Sequence, residues 1–219
     1  MRARARPRPA QRRLIGGGGG VNVLRSSAHQ RMPWKNGGGE TFEIAVSPPA
    51  ATLESLDWRI SMAVVAQDGP FSVFPDIDRT LCVIDGAGLQ LDFGVAQGTH
   101  AVTRDSPPFA FAADAPMHAR LIDGPIMDLN VMTRRGRYRH AVRRIAIDAV
   151  QEHMSAAGSL LLFCEQGQVL LHIDGQATVR LDIRDCAIHE TAGPRQFTLA
   201  PAGIGAASVC LIELDAISG

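Results

Sequence analysis

The sequence predicts an all-β protein built as two similar barrels in tandem, and three observations carry that expectation. From Val21 onward, Gly, Pro or Asp interrupts the chain about every 8–12 residues, with short apolar runs between. That is the rhythm of sandwich or barrel strands rather than of alternating βα units. A hairpin pattern also recurs: residues 83–92 read VIDGAGLQLD and residues 172–182 read HIDGQATVRLD. Each is a strand ending in Ile-Asp-Gly, a tight turn, then a strand ending in Leu-Asp, and Asp-Gly tolerates the positive φ angles of short hairpins. Two such units roughly 90 residues apart point to an internal repeat. Finally, 219 residues suffice for one large domain or two small ones, and a chain of that size buries roughly 70% of its unfolded surface without help from disulfides or metal.

The strands expected in the first half are Thr41–Val46, Trp58–Ala66, Arg79–Ile84, Leu89–Phe93, Met117–Ile122 and Ile126–Thr133. In the second half they are Ser159–Cys164, Val169–Ile173, Thr178–Ile183 and Ser208–Leu214, with Ile145–Ala156 the one segment reading as helical. Aromatics make up only 5% of the chain, so the cores must come from Val, Leu, Ile and Ala. The first barrel is expected over 21–136 and the second over 137–219, parted by the basic stretch Arg134-Arg135-Gly-Arg-Tyr-Arg139.

Residues 1–20 are set apart by composition. They hold Arg2, Arg4, Arg6, Arg8, Arg12 and Arg13, no acid, and five closing glycines. With almost nothing to bury, the segment is expected to be disordered and outside the fold. It lacks the serines and apolar face of a transit peptide and the apolar core of a secretion signal. No run in the chain approaches the roughly 20 apolar residues of a membrane span. The net charge of zero becomes about six excess acids once the tail's arginines are set aside. A mildly acidic body argues against nucleic acid and anionic membrane as partners and suits a cytoplasmic protein. Cys82, Cys164, Cys186 and Cys210 are widely spaced without a CxxC, and read as reduced core thiols.

Four segments carry side chains suited to chemistry. In Met32-Pro-Trp-Lys-Asn-Gly-Gly-Gly-Glu-Thr41, the glycines allow close approach of a ligand or a strand. Lys35 supplies a cation, Asn36 a donor and acceptor, and Trp34 a flat wall; alternatively Trp34 packs a barrel end and the glycines only turn the chain. In Asp57-Trp58-Arg59-Ile60-Ser61-Met62-Ala63-Val64, alternation puts Trp58, Ile60, Met62 and Val64 on one face. Arg59 and Ser61 then share the other with Ala63 and Val65, as a pocket wall or a solvated face. Arg79 opens a strand on the face of Leu81 and Val83, where it either pairs with a buried acid or awaits an anion. In Ile126–Met132, Asp128 and Asn130 lie opposite Met127, Leu129 and Val131. They either line a polar pocket or tie Arg59 or Arg79 into a structural network.

No metal is expected. None of the seven histidines, at 29, 100, 118, 140, 153, 172 and 189, forms His-x-His or a spacing like HExxH. No GxSxG and no Cys–His arrangement supports a nucleophile, and no cofactor is called for.

Several motifs in order, MPWKNGGGET (32–41), DWRISMA (57–63), DGPFSVFPDIDRTL (68–81), IDGAGLQL (84–91) and DLNVMTRRG (128–136), resemble the HutD/Ves family. The resemblance is sharp to about residue 136 and generic beyond. One departure is Asp76, where the family carries Gly after Phe-Pro. The resemblance implies a bicupin, two jelly-roll barrels without metal-binding histidines, and a link to histidine breakdown. It implies a pocket in the first barrel lined by Trp34, Lys35, Asn36, Arg59, Ser61, Arg79 and Asn130. The ligand implied is a small carboxylate, N-formylglutamate or urocanate, bound in an accessory, regulatory role. Two other classes stand beside it: a cofactor-independent enzyme on a formylated or imidazole acid, with Asp128 as base and Lys35 or Arg59 as anion stabiliser, and a structural module whose second barrel forms a homodimer interface.

Overall fold

The computed structural model describes residues 20–34, 37–95, 98–190 and 193–217. Lys35, Asn36 and the segment 1–19 lie outside the described residues. Eleven strands come first: β1 Asn22–Leu24, β2 Gln30–Pro33, β3 Gly39–Ser47, β4 Trp58–Val65, β5 Gly69–Pro70, β6 Ile77–Asp85, β7 Leu89–Asp92, β8 Thr99–Val102, β9 Phe109–Ala112, β10 His118–Leu121 and β11 Ile126–Arg134. Eight more follow: β12 Tyr138–Ile147, β13 Gln151–Ser155, β14 Ser159–Gln166, β15 Val169–Ile173, β16 Val179–Leu181, β17 Cys186–Glu190, β18 Arg195–Pro201 and β19 Ala207–Ala216. A single 3-10 turn, Ser26–Ala28, is the one helical element among the described residues.

The strands form four sheets in two face-to-face pairs, as a jelly roll requires. The first pair has orders β2-β3-β4-β11-β6-β9 and β5-β10-β7-β8, and the second β1-β17-β14-β19-β12 and β13-β18-β15-β16. Read against each other, these orders map β4 through β11 onto β12 through β19 one for one. β2 and β3 widen the first unit beyond β4. β1 pairs not with its neighbours in sequence but with β17, Asn22 opposite Ile188.

The repeat is real, but the two Ile-Asp-Gly hairpins are not its equivalent parts. Gly86 turns β6 into β7, whereas Gly175 turns β15 into β16, one strand later in the unit. The counterpart of Gly86 is Gly167, between β14 and β15. A side chain on Gly86 would meet Pro125 O and Ile126, and one on Gly167 would meet Ala206 O and Ala207, each at the entry to the equivalent strand.

The segment 145–156 is not a helix. It completes β12 and forms β13, separated by a turn. Ile145 and Ile147 are buried on alternate positions, and all of β12 pairs with β19, Tyr138 to Ala216 through Ile147 to Ala207. Period-2 burial of β-branched residues against a ten-residue partner overrides a weak helical pattern. The strands β8, β9, β13, β17 and β18 carried no sequence signal strong enough to foresee. Asp76, the departure from the family's glycine, has φ 59°, a left-handed conformation that Asp tolerates better than most residues.

The largest apolar cluster lies between the two units. Trp58, Ile60, Met62, Leu129 and Val131 meet Leu161, Phe163, Ile188, Ile212 and Leu214 there. Cys82, Cys186 and Cys210 belong to this cluster, Cys164 to the core of the second barrel, and all four are free, buried thiols. Burial pushes the thiols of Cys164 and Cys186 up to about 12. The second barrel is filled by Leu160, Leu162, Leu171, Phe197, Val209, Leu211 and their neighbours. The first carries two separate apolar clusters, one around Leu81, Val83, Leu89 and Leu91 and one around Val46, Leu56, Ile77 and Met132, and it also holds a cavity.

Candidate functional site

The cavity has a volume of about 550 Å3 and lies inside the first barrel. β4 faces it with Arg59, Ser61, Ala63 and Val65, β11 with Asp128, Asn130 and Met132, and β6 with Arg79. Strict alternation makes this possible. The intervening Trp58, Ile60, Met62, Leu129 and Val131 are spent on the inter-barrel core, so each strand is apolar outward and polar inward. The second barrel shows what the design replaces: the shared registers put Leu160 where Arg79 stands, Val209 for Asp128 and Leu211 for Asn130.

Arg79 is buried, 8% exposed. Its Nε donates to Asn130 Oδ1 at 2.8 Å, and its Nη2 donates to the same oxygen. The Phe71 and Phe111 rings pack on the guanidinium, 4.7 and 5.7 Å from Cζ to the ring centroids. Such contacts stabilise a desolvated cation by about 1–2 kcal/mol each. Burial lowers its pKa to about 10, opposed by the nearby Asp128 and aided by Arg59, so it stays charged at neutral pH. Nη1 makes no hydrogen bond among the described residues.

Asp128 is fully buried. Its Oδ1 accepts from Asn130 Nδ2 at 2.6 Å, and its Oδ2 has no hydrogen-bond partner among the described residues. Burial raises its carboxyl from 3.8 to about 6, against the opposing pull of Arg79, the Asn130 amide and the Ala63 backbone. Arg59 donates through Nε to Glu43 Oε2 at 2.9 Å on the neighbouring strand β3. Its terminal nitrogens make no hydrogen bond among the described residues. Ser61 is buried beside it.

Trp34 serves both expectations at once: it lines the cavity and packs the barrel end. Its Nε1 donates to Thr41 Oγ1 at 2.8 Å. Its backbone closes the glycine turn, Trp34 N to Gly39 O at 3.0 Å. A Cβ on Gly39 would stand 2.1 Å from Val64 O and 3.1 Å from the indole, so close approach of β3 to β4 and to Trp34 demands that glycine. Of the expected site residues, Trp34, Arg59, Ser61, Arg79 and Asn130 converge, with Asp128 among them. Sequence reasoning missed Glu43, Phe71 and Phe111, and the lip residues Met32, Gln67 and Asp68. The Phe71 signal was present in the Gly-Pro-Phe loop beside Arg79's strand; Phe111 sits opposite Arg79 only through the pairing of β6 with β9.

Among the described residues, no three His, Cys, Asp or Glu side chains gather closely enough to hold a metal ion. No helix among them is long and apolar enough to cross a membrane.

Two jelly-roll barrels in one chain, one closed on an apolar core and one open around a buried arginine, define a bicupin. The solved structures agree. A conserved protein of unknown function from Pseudomonas aeruginosa superposes with a TM-score of 0.82 at 34% identity, covering 89% of this chain and 98% of that one. HutD from Pseudomonas fluorescens, determined in a formate condition, gives 0.76 at 33%, covering 90% and 100%. An oxalate decarboxylase from Lactobacillus farciminis gives 0.65 at 9%, covering 94% and 89%, a likeness of fold alone. The family model described as HutD matches residues 26–207, and the chain belongs to that family. Among curated relatives, Protein Ves from Citrobacter koseri is 42% identical over 118 residues, 52% of this chain, and the match spans only 60% of that protein. An uncharacterized 21.2 kDa protein in the hutC 3' region of Pseudomonas putida is 32% identical over 76% of this chain and 85% of its own length. The chain is therefore a HutD-family protein with a cupin-like β fold.

Proposed function

We propose that the first barrel binds a small carboxylate metabolite of histidine degradation, N-formylglutamate or urocanate, in a cytoplasmic accessory role that restrains pathway flux. The observation that carries this reading is Arg79: a buried cation with aromatic rings on its guanidinium, one edge taken by a neutral amide, and Nη1 free beside a cavity. A carboxylate fits that edge in the paired geometry arginine favours. Arg59 supplies a second set of donors across the cavity, and Ser61 and Gln67 offer partners for a formamide or an imidazole. Each hydrogen bond to a charged group contributes about 1.5–3 kcal/mol, so two or three give roughly −8 kcal/mol, micromolar binding. Calorimetric titration with N-formylglutamate, urocanate, glutamate and formate tests it. Saturable binding of one acid, weakened at least tenfold in Arg59→Ala, is expected; heat-silent titrations with all four acids remove the proposal.

Asp128 favours a second reading. A buried carboxyl raised to about 6, with an unpartnered oxygen, has the properties of a general base poised near neutrality. Turnover of either acid by the purified protein, abolished in Asp128→Asn, would make the protein a cofactor-independent enzyme.

A further inference from the structure

We infer that the second barrel holds an anion site of its own, in which the unpaired edge of Arg195 takes a small monovalent anion of halide or carboxylate size. Arg195 opens β18 opposite Ser155, the last residue of β13. It shares its face with Phe197 and Leu199, which point into the barrel core. His189 follows Ala187, another core residue, on the same inward face of β17. It stands opposite Leu160, just as Phe111 stands opposite Arg79 in the first barrel. Both barrels thus set an arginine and a ring at the same end. The first draws its arginine from β6, while the second has leucine at that position and draws its arginine from β18.

The Arg195 guanidinium is poorly satisfied for its depth. The residue is 7% exposed, and its one hydrogen bond among the described residues runs from Nη2 to Ala157 O. Among the described residues, Nε and Nη1 are buried with no partner, and so is His189 Nδ1. A buried donor left unmade is costly, and more so on a charged group, so two on one guanidinium call for an acceptor. The nearby carboxylates, Glu213 and Asp215, do not fill that role, because neither forms an ion pair or hydrogen bond with Arg195 among the described residues. Glu213 Oε1 accepts from Ser155 Oγ at 2.5 Å. Asp215 Oδ1 accepts from Gly158 N at 2.9 Å, while its Oδ2 pairs with Arg139 at 3.4 Å. They offset the charge of Arg195 from a distance without contacting it. A small anion on the Nε–Nη1 edge completes the group.

Diffraction from crystals of the full chain soaked in bromide tests the site directly. An anomalous peak within hydrogen-bond distance of Arg195 Nε or Nη1 is expected, and its absence overturns the inference. In solution, chloride-35 line broadening reads weak anion sites. Arg195→Gln should remove one class of broadening that Arg79→Gln leaves in place, and His189→Phe should weaken it. If Arg195→Gln changes nothing, or Arg79→Gln alone abolishes all broadening, the inference fails, while the carboxylate pocket of the first barrel would still stand. Displacement of bromide by acetate would assign the site to carboxylates; persistence against acetate would assign it to halides.

Discussion

Arg79 and Asp128 sit in one buried cluster yet meet only through Asn130, whose Oδ1 accepts from Arg79 and whose Nδ2 donates to Asp128 Oδ1 at 2.6 Å. The amide relays between cation and carboxyl without neutralising either. A direct Arg–Asp pair would occupy the edge of the guanidinium that an anionic ligand needs. With Asn130 between them, Arg79 is oriented and still unsaturated.

Replacing Asn130 by Leu therefore strips a buried charge of its hydrogen-bond acceptor. A loss of about 2–4 kcal/mol in unfolding free energy is expected from urea denaturation, with ligand binding lost as well. A loss under about 1 kcal/mol would mean that Arg79 finds another partner and that the relay is dispensable.

Asp128 makes binding depend on pH in a definite direction. Its pKa is raised in the folded protein, so the folded state prefers the protonated carboxyl. The stabilising contribution is full below about pH 4 and fades as pH rises through about 6. An anionic ligand at Arg79 shares that preference, because a charged Asp128 repels it. Affinity for the carboxylate should fall between pH 5 and pH 8, by about tenfold for each pK unit of coupling. Asp128→Asn should flatten the profile. A profile unchanged by that substitution would place the titrating group elsewhere.

His140 has the opposite sign. It leaves β12 to bridge two strands of the first barrel, Nε2 2.8 Å from Thr80 Oγ1 and Nδ1 2.6 Å from Thr133 Oγ1. A neutral imidazole donates through one nitrogen and accepts through the other. Burial lowers its pKa from 6.5 to about 4, with Asp78 opposing. The folded state thus binds fewer protons than the unfolded chain between those values, and stability falls as pH drops from about 6.5 toward 4. Unfolding midpoints at pH 7 and pH 4.5 should differ by more in the native chain than in His140→Leu. Equal differences would exclude His140 as the source.

The polar inward faces of β4 and β11 were legible because alternation over eight or nine residues admits one assignment of faces. Arg59, Ser61, Asp128 and Asn130 followed from it. Arg79 was legible for the same reason, though its aromatic neighbour Phe111 was not: that contact depends on which strand pairs with β6. The helix expected over Ile145–Ala156 failed because a weak local pattern says nothing about a ten-residue partner supplied by β19. Arg195 went unnoticed since one arginine after Gly-Pro resembles any surface turn until β18 is paired with β13.

The internal repeat can be tested by its glycines. Sequence similarity matched Gly86 with Gly175, but the topology matches Gly86 with Gly167. All three have positive φ, at 86°, 75° and 69° in that order, which alone makes alanine cost about 1 kcal/mol or more at each. Their surroundings separate them. A Cβ would lie 2.7 Å from Pro125 O at Gly86 and 2.5 Å from Ala206 O at Gly167, whereas nothing lies within 4 Å at Gly175. Backbone carbonyls fixed in a sheet cannot step aside as a flexible side chain would. Gly86→Ala and Gly167→Ala should each lower the unfolding free energy by about 3 kcal/mol or more, and Gly175→Ala by about 1 kcal/mol. Chemical denaturation of the three variants reads this directly. If Gly167→Ala and Gly175→Ala were equally mild, the close approach at the entry of β19 would not constrain the turn. Matching costs at Gly86 and Gly167, set against a small one at Gly175, would instead mean that both barrels use the same tight turn to start the second sheet.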